Sequence, residues 1–588
     1  MAIDRPLAAS HSVATQPAEA QTDATQQLVR GVRAQLATPV AGVNDYLRAW
    51  ADWSLGLALA PERQQALFQS ALAYGTDSAR FALRAANGQR SSQPGGESSF
   101  AGPGWDQWPF NAYAHAHDNL KAWSREALSA ADGVSAQNAQ RLEFLQRQWL
   151  NFTSPAHYLP TNPDLLEQTR RENGANLLRG AQHWLEDAAR MLTRGAAPGT
   201  EQFGVGKKVA VTAGKIVMRN ELAELIQYSP QTDSVYAEPI LITPAWIMKY
   251  YILDLSPHNS LVNYLVGQGH TVFMLSWKNL TAADRNLAME DYVRLGVLAA
   301  LDAVQSIVPN RRVHAVGYCI GGTLLSIAAA ALTRDGDARI GSITLFAAQT
   351  DFSEPGELSM FISPEQLAAL EVQMQRDGVL SSESMGAAFA LLRSSELIWA
   401  PAVNQYLRGQ RAQLNDLMAW NADGTRMPCR MHSQYLERLY LHNELAAGTF
   451  TVDGKPIDLA QIKVPMFVVG TETDHVAPWH SAFKTRALVR SNDYTFLLTS
   501  GGHNAGIISG PVNPKRRHRV LRWNDPVAST SPEQFMEQAE LRAGSWWPTW
   551  QQWLVAHSAP GLVAPPPRGN AAAGYVPLAD APGGYVLG

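Results

Sequence analysis

Cysteine is scarce. The 588 residues include two, Cys319 and Cys429, too few for a disulfide framework or a Cys-rich zinc or iron–sulfur site. So few thiols in so long a chain fit a reducing, cytosolic setting. A long apolar run is also missing. The mostly apolar stretch Leu324 to Leu332 falls far short of the ~20 residues that span a bilayer. The first 25 residues have no basic segment leading into an apolar one, so they do not read as a signal peptide. Neither sign of charge dominates. Lys and Arg number 48 against 52 Asp and Glu, a net charge of −4, whereas a nucleic-acid binder carries a strongly basic domain.

What is abundant is apolar and aromatic. Hydrophobic residues make up 46%, with 17 each of Trp, Tyr and Phe, enough for a sizeable core and enough to exclude a disordered or fibrous chain. Residues 1–25, small and polar without periodicity, read as a disordered tail. Residues 26–200 carry apolar positions at helical spacing, interrupted by a Ser/Gly/Pro-rich linker over 91–104, and predict an α-helical N-terminal domain. From residue 201 the texture changes. Short β-branched runs at 240–243, 270–277, 313–317, 340–346, 465–470 and 494–498 alternate with helical patterns, which predicts an α/β domain with a parallel sheet covered on both faces. A helical, Met- and Tyr-rich insertion over about 351–448 interrupts the alternation and reads as a lid. Residues 558–588, rich in Pro, Gly and Ala, read as a mobile tail.

The sharpest chemical signal is Gly317-Tyr318-Cys319-Ile320-Gly321-Gly322. A strand precedes it and a helix follows, the context of a nucleophile elbow with Cys as nucleophile. The helix N-terminus favours a thiolate at Cys319, and the N–H of Ile320 is placed to donate to an oxyanion. Elbow triads on this fold run nucleophile, acid, histidine. Asp474 and then His503 follow in loops after strands, with Glu472 a rival for the acid. His475, beside Asp474, reads as orienting the base rather than being it. A second oxyanion donor is expected from the loop after strand 240–243, with the backbone N–H of Trp246 the candidate.

At these residues the chain resembles the class I polyhydroxyalkanoate synthases. Lys249-Tyr-Tyr-Ile-Leu-Asp254-Leu, Gly267-Gln-Gly-His270-Thr-Val-Phe, Ser276-Trp277, Gly317 to Thr323, Trp420-Asn-Ala-Asp-Gly-Thr, Gly470 to Val476 and Gly501-Gly-His503 all resemble that family's motifs, over about Trp105 to Trp553. The resemblance implies an α/β-hydrolase fold with an inserted helical lid, in which Cys319 is acylated, His503 is its base and Asp474 the third member. It brings Asp254 and Tyr318 into the set of residues expected near substrate or triad. It implies an (R)-3-hydroxyacyl-CoA substrate of short chain, such as 3-hydroxybutyryl-CoA, and a polyester product. It also implies a homodimer at the surface of cytoplasmic polymer granules, with Trp420 near the dimer contact and lid, and no cofactor. Where the family often reads Pro-Pro-x-Ile-Asn-Lys-Tyr-Tyr, this chain has Pro244-Ala-Trp-Ile-Met-Lys-Tyr-Tyr. A cysteine-dependent thioesterase and a non-catalytic granule-surface protein stand as alternatives.

Three features carry less. His115-Ala-His117-Asp118 has metal-like spacing, but i and i+2 on a helix point to different faces, so no metal is expected. Lys515-Arg-Arg-His-Arg519 reads as a solvated patch or as a clamp for CoA phosphates. Cys429 reads as a structural thiol.

Overall fold

In the computed structural model of the protein, which describes residues 41–88, 100–129, 131, 133–193, 198–511, 513–525 and 530–588, the β-branched runs pair into one sheet. Its strands are β1 (Gly214–Arg219), β2 (Ala223–Tyr228), β3 (Ile240–Thr243), β4 (Val272–Trp277), β5 (Val313–Tyr318), β6 (Ile340–Phe346), β7 (Met466–Thr471), β8 (Tyr494–Thr499), β9 (Arg517–Trp523), β10 (Glu540–Ala543) and β11 (Ala579–Asp580). The eleven strands lie in the order β10-β9-β8-β7-β6-β5-β3-β4-β2-β1-β11. The block β4-β3-β5-β6-β7-β8 is parallel, and antiparallel strands flank it on both sides. Every residue of β3, β4, β5, β7 and β8 is buried, as a sheet covered on both faces requires. The expected strands are all present. Strands β1, β2, β9, β10 and β11 are additional to those the sequence predicts.

Helices precede the sheet: α1 (Ala41–Ala58), α2 (Pro61–Ala86), α3 (Phe110–Ser129), α4 (Ala136–Thr153), α5 (Pro163–Arg171) and α6 (Ala175–Thr193). The disordered tail expected over 1–25, and most of the linker at 91–104, lie outside the described residues. The insertion after β6 is helical, at Pro364–Asp377, Ser382–Leu392 and Cys429–Tyr435, and a short strand pair (Val379–Leu380 with Met427–Pro428) ties it to itself.

The segment over 558–588 departs from the expected mobile tail. Val563 and Leu562 pair with Val235 and Tyr236, and β11 extends the sheet beside β1. The buried carboxylate of Glu224 accepts from the N–H groups of Gly584 and Tyr585 at 3.1 and 3.0 Å, and Val586 is buried. Composition misleads here because the chain is held by backbone pairing and by one buried acid, neither of which needs an apolar sequence.

Candidate active site

The nucleophile position follows from close packing at the elbow. Strand β5 runs into a single residue, Cys319, and then into helix α7 (Ile320–Arg334). Cys319 has φ 54° and ψ −130°, a conformation that a side chain rarely adopts and that surroundings must hold. They do so through its N–H, which donates to the Phe346 carbonyl at 2.8 Å, and its carbonyl, which accepts from Gly322 at 2.9 Å. A Cβ at Gly317 would collide with the Gly322 backbone, and one at Gly321 with the carbonyls of Thr243 and Pro244. The glycines therefore let strand, helix and the loop after β3 meet at one point.

His503 and Asp474 reach that point from the ends of β8 and β7. The Nδ1 of His503 is 2.8 Å from Asp474 Oδ2, and Cys319 lies close enough for its charge to act on the same ring. The other Asp474 oxygen accepts from the N–H groups of Val476 and Ala477 at 2.9 and 2.8 Å, and Thr471 Oγ1 donates to Oδ2 at 3.0 Å. Its carboxylate is fully buried and satisfied on both oxygens, which fixes its orientation toward the imidazole. Burial opposes the His503 cation, but Asp474 and Cys319 outweigh burial and hold it well above the usual histidine range. Glu472, the rival acid, is turned away to pair with Arg517 at 3.1 Å.

The loop bearing His503 is braced from outside. Arg516 donates to the carbonyls of Ser500 and Ala505 at 3.1 and 2.8 Å, and the indoles of Trp546 and Trp547 donate to Gly506 and Ile507 at 3.0 and 2.9 Å. Within the basic run 515–519, His518 is buried and bonded to Gly544 and Thr549, whereas Lys515 and Arg517 are exposed, Arg517 pairing with Glu472.

Other expected residues separate into two groups. Tyr318 is at the site: its hydroxyl donates to Asn504 at 2.5 Å, and its ring lies 5.7 Å from that of His503. Among the described hydrogen bonds none is donated by the N–H of Ala245, Trp246 or Ile320, and Trp246 itself is buried against Tyr292 and Tyr435. Asp254 lies outside the triad's hydrogen bonds, whereas His475 is close enough to Asp474 and His503 for their charges to act on it. Asp254 is buried with Thr212, Tyr228 and Ser260, a closed polar cluster with no bond to the triad. The carbonyl of His475 accepts from the Glu357 N–H, and the residue lines a cleft of about 1190 Å³ with Glu143, Arg147 and Arg393. It does not hydrogen-bond His503. The two N–H bonds that orient Asp474 come from the turn itself. Trp420 is buried, its indole donating to the Lys249 carbonyl at 2.8 Å, so it is not offered for contact with another chain. His115 and His117 go to different partners, Asp77 and the Leu150 carbonyl. Cys429 is half-buried at the start of a lid helix, and burial raises its thiol pKa.

Sequence reasoning missed Tyr435 and Tyr440. Both are buried close enough to Cys319 that a charge there, after burial, opposes ionisation of their hydroxyls. The two hydroxyls are 3.4 Å apart, and the ring of Tyr440 lies 4.9 Å from that of Phe352. Both tyrosines belong to the insertion, and Cys319 is 7% exposed. No local motif marks them; only the fold brings them to the elbow.

Comparison with known proteins bears on the family and the fold. The family model for the poly-beta-hydroxybutyrate polymerase (PhaC) N-terminus matches residues 96–265, and that for the alpha/beta hydrolase fold matches residues 238–509. A poly(3-hydroxyalkanoate) polymerase of Methylorubrum extorquens is 39% identical over 496 residues, spanning 84% of this chain and 81% of its own. The chain belongs to the poly(3-hydroxyalkanoate) polymerase family. A second member, the polymerase subunit PhaC of Rhizobium meliloti, is 36% identical, with 83% and 79% covered. Among solved structures, a monoacylglycerol lipase of Paleococcus ferrophilus is 14% identical with a TM-score of 0.33, covering 58% of this chain and 100% of the lipase. The polymerase N-terminal match crosses from the helices into the sheet and ends within the helix Leu261–Gly267.

Proposed function

We propose that this family member polymerises a short-chain (R)-3-hydroxyacyl-CoA, such as 3-hydroxybutyryl-CoA, through an acyl thioester on Cys319. The observation that carries the reading is the buried Asp474 carboxylate held on His503, with Cys319 at a strained elbow acting on the same imidazole. His503 takes the Cys319 proton, and the sulfur attacks the thioester carbonyl. The N–H groups of Ile320 and Trp246 stabilise the tetrahedral oxyanion. As the carbon–sulfur bond to CoA breaks, His503 returns the proton to the leaving thiolate. Exchange of one thioester for another keeps the acyl group activated, which an oxygen ester on serine would not.

Elongation follows when the 3-hydroxyl of an incoming unit attacks the acyl–Cys319 carbonyl. An ester bond forms, the Cys319 sulfur leaves and is reprotonated, and the longer chain, now a CoA thioester, acylates Cys319 again. The hydroxyl needs a base, and we assign that help to Asp474 acting with His503. Water would release the acyl group, and the rings of Tyr435, Tyr440 and Trp246 support its exclusion. We further propose a cytoplasmic homodimer acting at the polymer granule surface. The exposed apolar side chains of Trp50 on α1, Leu59 in the turn after it and Phe68 on α2 support contact with an apolar surface.

Incubation with 3-hydroxybutyryl-CoA tests the reading. Free CoA with insoluble polyester is the expected result. Free CoA with soluble 3-hydroxybutyrate would make the protein a thioesterase, and neither product would make it a non-catalytic surface protein. In Asp474→Asn, a stoichiometric burst of CoA followed by arrest is expected. No burst from the folded variant would leave Asp474 only an orienter of His503.

A further inference from the structure

Lys249 is a buried cation far along the loop from any triad residue, and its bonds are unusual for a surface-type side chain. Its ammonium lies 2.9 Å from Asp423 Oδ1 and donates to the Val586 carbonyl at 2.6 Å. Those partners come from two segments remote in sequence, the insertion and the segment after β11. Its own loop follows β3, and holds Ala245 and Trp246.

The same three segments are joined again next to it. Residues 420–425 zip onto the loop: the Trp420 indole donates to the Lys249 carbonyl, Thr425 N–H donates to Ile247 at 3.3 Å, and Thr425 Oγ1 donates to the Trp246 carbonyl at 2.5 Å. Met248 and Gly424 form an antiparallel bridge, and Tyr251 donates to the second oxygen of Asp423 at 2.9 Å. Asn279 then repeats what Lys249 does. Its amide donates to the Gly588 carbonyl at 3.0 Å, while its oxygen accepts from Arg426 N–H at 3.0 Å. Two side chains thus each bridge residues 586–588 to residues 423–426. The segment they grip is itself fixed, because Glu224 holds Gly584 and Tyr585, and the Tyr585 hydroxyl donates to the Asn220 carbonyl at 2.5 Å.

We propose that Lys249 is a positioning residue: with Asn279 it clasps residues 584–588 and 420–426 onto the loop that presents the Trp246 N–H to the reacting carbonyl. The clasp rests on the thioester chemistry proposed above only for its catalytic consequence. Its physical basis is independent of that chemistry. A buried ammonium with one carboxylate and one carbonyl partner loses much of its compensation when either is removed, so the segments separate together rather than one at a time. A loop released in this way still binds substrate but misplaces an N–H needed in the transition state, which lowers kcat with little effect on KM.

Hydrogen exchange on the substrate-free full-length protein tests the clasp, and steady-state polymerisation tests its consequence. In Lys249→Met, protection of the amides at 247–251 and 420–426 is expected to fall by roughly tenfold or more. A chain ending at Gly584 is expected to lose protection at the same amides without any change in the loop itself. Combining the two is expected to add less than the sum of the single effects, because the Lys249–Val586 bond is broken in both. Lys249→Arg, which keeps the cation, is expected to restore most of the protection. In both the Met variant and the shortened chain, kcat is expected to fall roughly ten- to a hundredfold with KM nearly unchanged. Unchanged exchange, additive effects, or unchanged kcat in the shortened chain would each overturn the proposal. If Lys249→Met does not fold, the shortened chain carries both measurements. Exchange needs no substrate, so loss of protection stands apart from whether Cys319 is the nucleophile.

Discussion

Every residue of β5 from Val313 to Tyr318 is buried, whereas α1, α2 and the turn between them leave Leu47, Trp50, Leu55, Leu59, Phe68 and Leu72 exposed to solvent. The parallel strands cannot exist half-covered, since each face needs a layer of helices. The helices of the N-terminal layer need only one apolar face against a neighbour, and the other is left available. The difference assigns distinct duties. The sheet sets the position of the reacting atoms to within a hydrogen bond, while the helical layer offers apolar area without fixed geometry.

The sharpest way to break this contrast is at the elbow. Gly317→Ala places a methyl group where the Gly322 backbone already lies, and polymerisation is expected to fall more than about a thousandfold, with soluble yield reduced as well. Cys319→Ala is expected to remove activity just as completely while leaving the thermal unfolding midpoint in place, and Cys429→Ala to keep most activity. Assays of CoA release with parallel melting curves check both, and equal losses in the two cysteine variants would mean that the wrong thiol had been assigned.

Next in size is the core itself. Leu275 in β4 is wholly buried, and Leu275→Ala is expected to cost about 2–5 kcal/mol by denaturant titration. A smaller, pH-dependent effect belongs to Asp254. Burial pushes its carboxyl up to about 6, against the hydrogen bonds from Thr212, Ser260 and Tyr228 that favour ionisation. The folded pKa lies above the ~3.9 of an unfolded chain, so this stabilising contribution is full below about 4 and is lost as pH rises through about 6. Asp254→Asn is expected to flatten that part of the stability curve by at most about 3 kcal/mol, and a curve of unchanged shape would place the titration elsewhere. The smallest effect is expected in the helical layer, where Leu59→Ser or Phe68→Ser should move stability by about 0.5 kcal/mol or less. The same changes should weaken co-sedimentation with polyester particles, and retention of full binding would shift the contact to another face.

How legible each part was follows from the kind of constraint involved. Cys319 stands out because its glycines answer a steric demand that is local in sequence, and Asp474 and His503 follow because each ends a strand in the required order. Asp254 shares a motif with functional residues but is held in a separate cluster by Thr212, Tyr228 and Ser260, which sequence spacing does not reveal. Strand β9 is masked by its charges: Arg517, Arg519 and Arg522 look solvated, yet the strand pairs with β8 on one side and β10 on the other. Tyr435, Tyr440 and Lys249 are invisible for a different reason. Their roles depend on partners more than a hundred positions away, and no single window of sequence contains both ends of such a contact.

The pairing of β11 with β1 has a consequence for how the protein is made. Lys215 and Asp580 face each other across 365 positions. At synthesis rates of about 5–20 residues per second, roughly 20–70 s separate their emergence from the ribosome. For that interval the outer edge of β1 is a strand with unpaired N–H and C=O groups, open to association with other nascent chains. The yield of soluble protein is therefore expected to depend on translation speed and on chaperone supply, and to do so through the first strand of the sheet rather than through the catalytic loops.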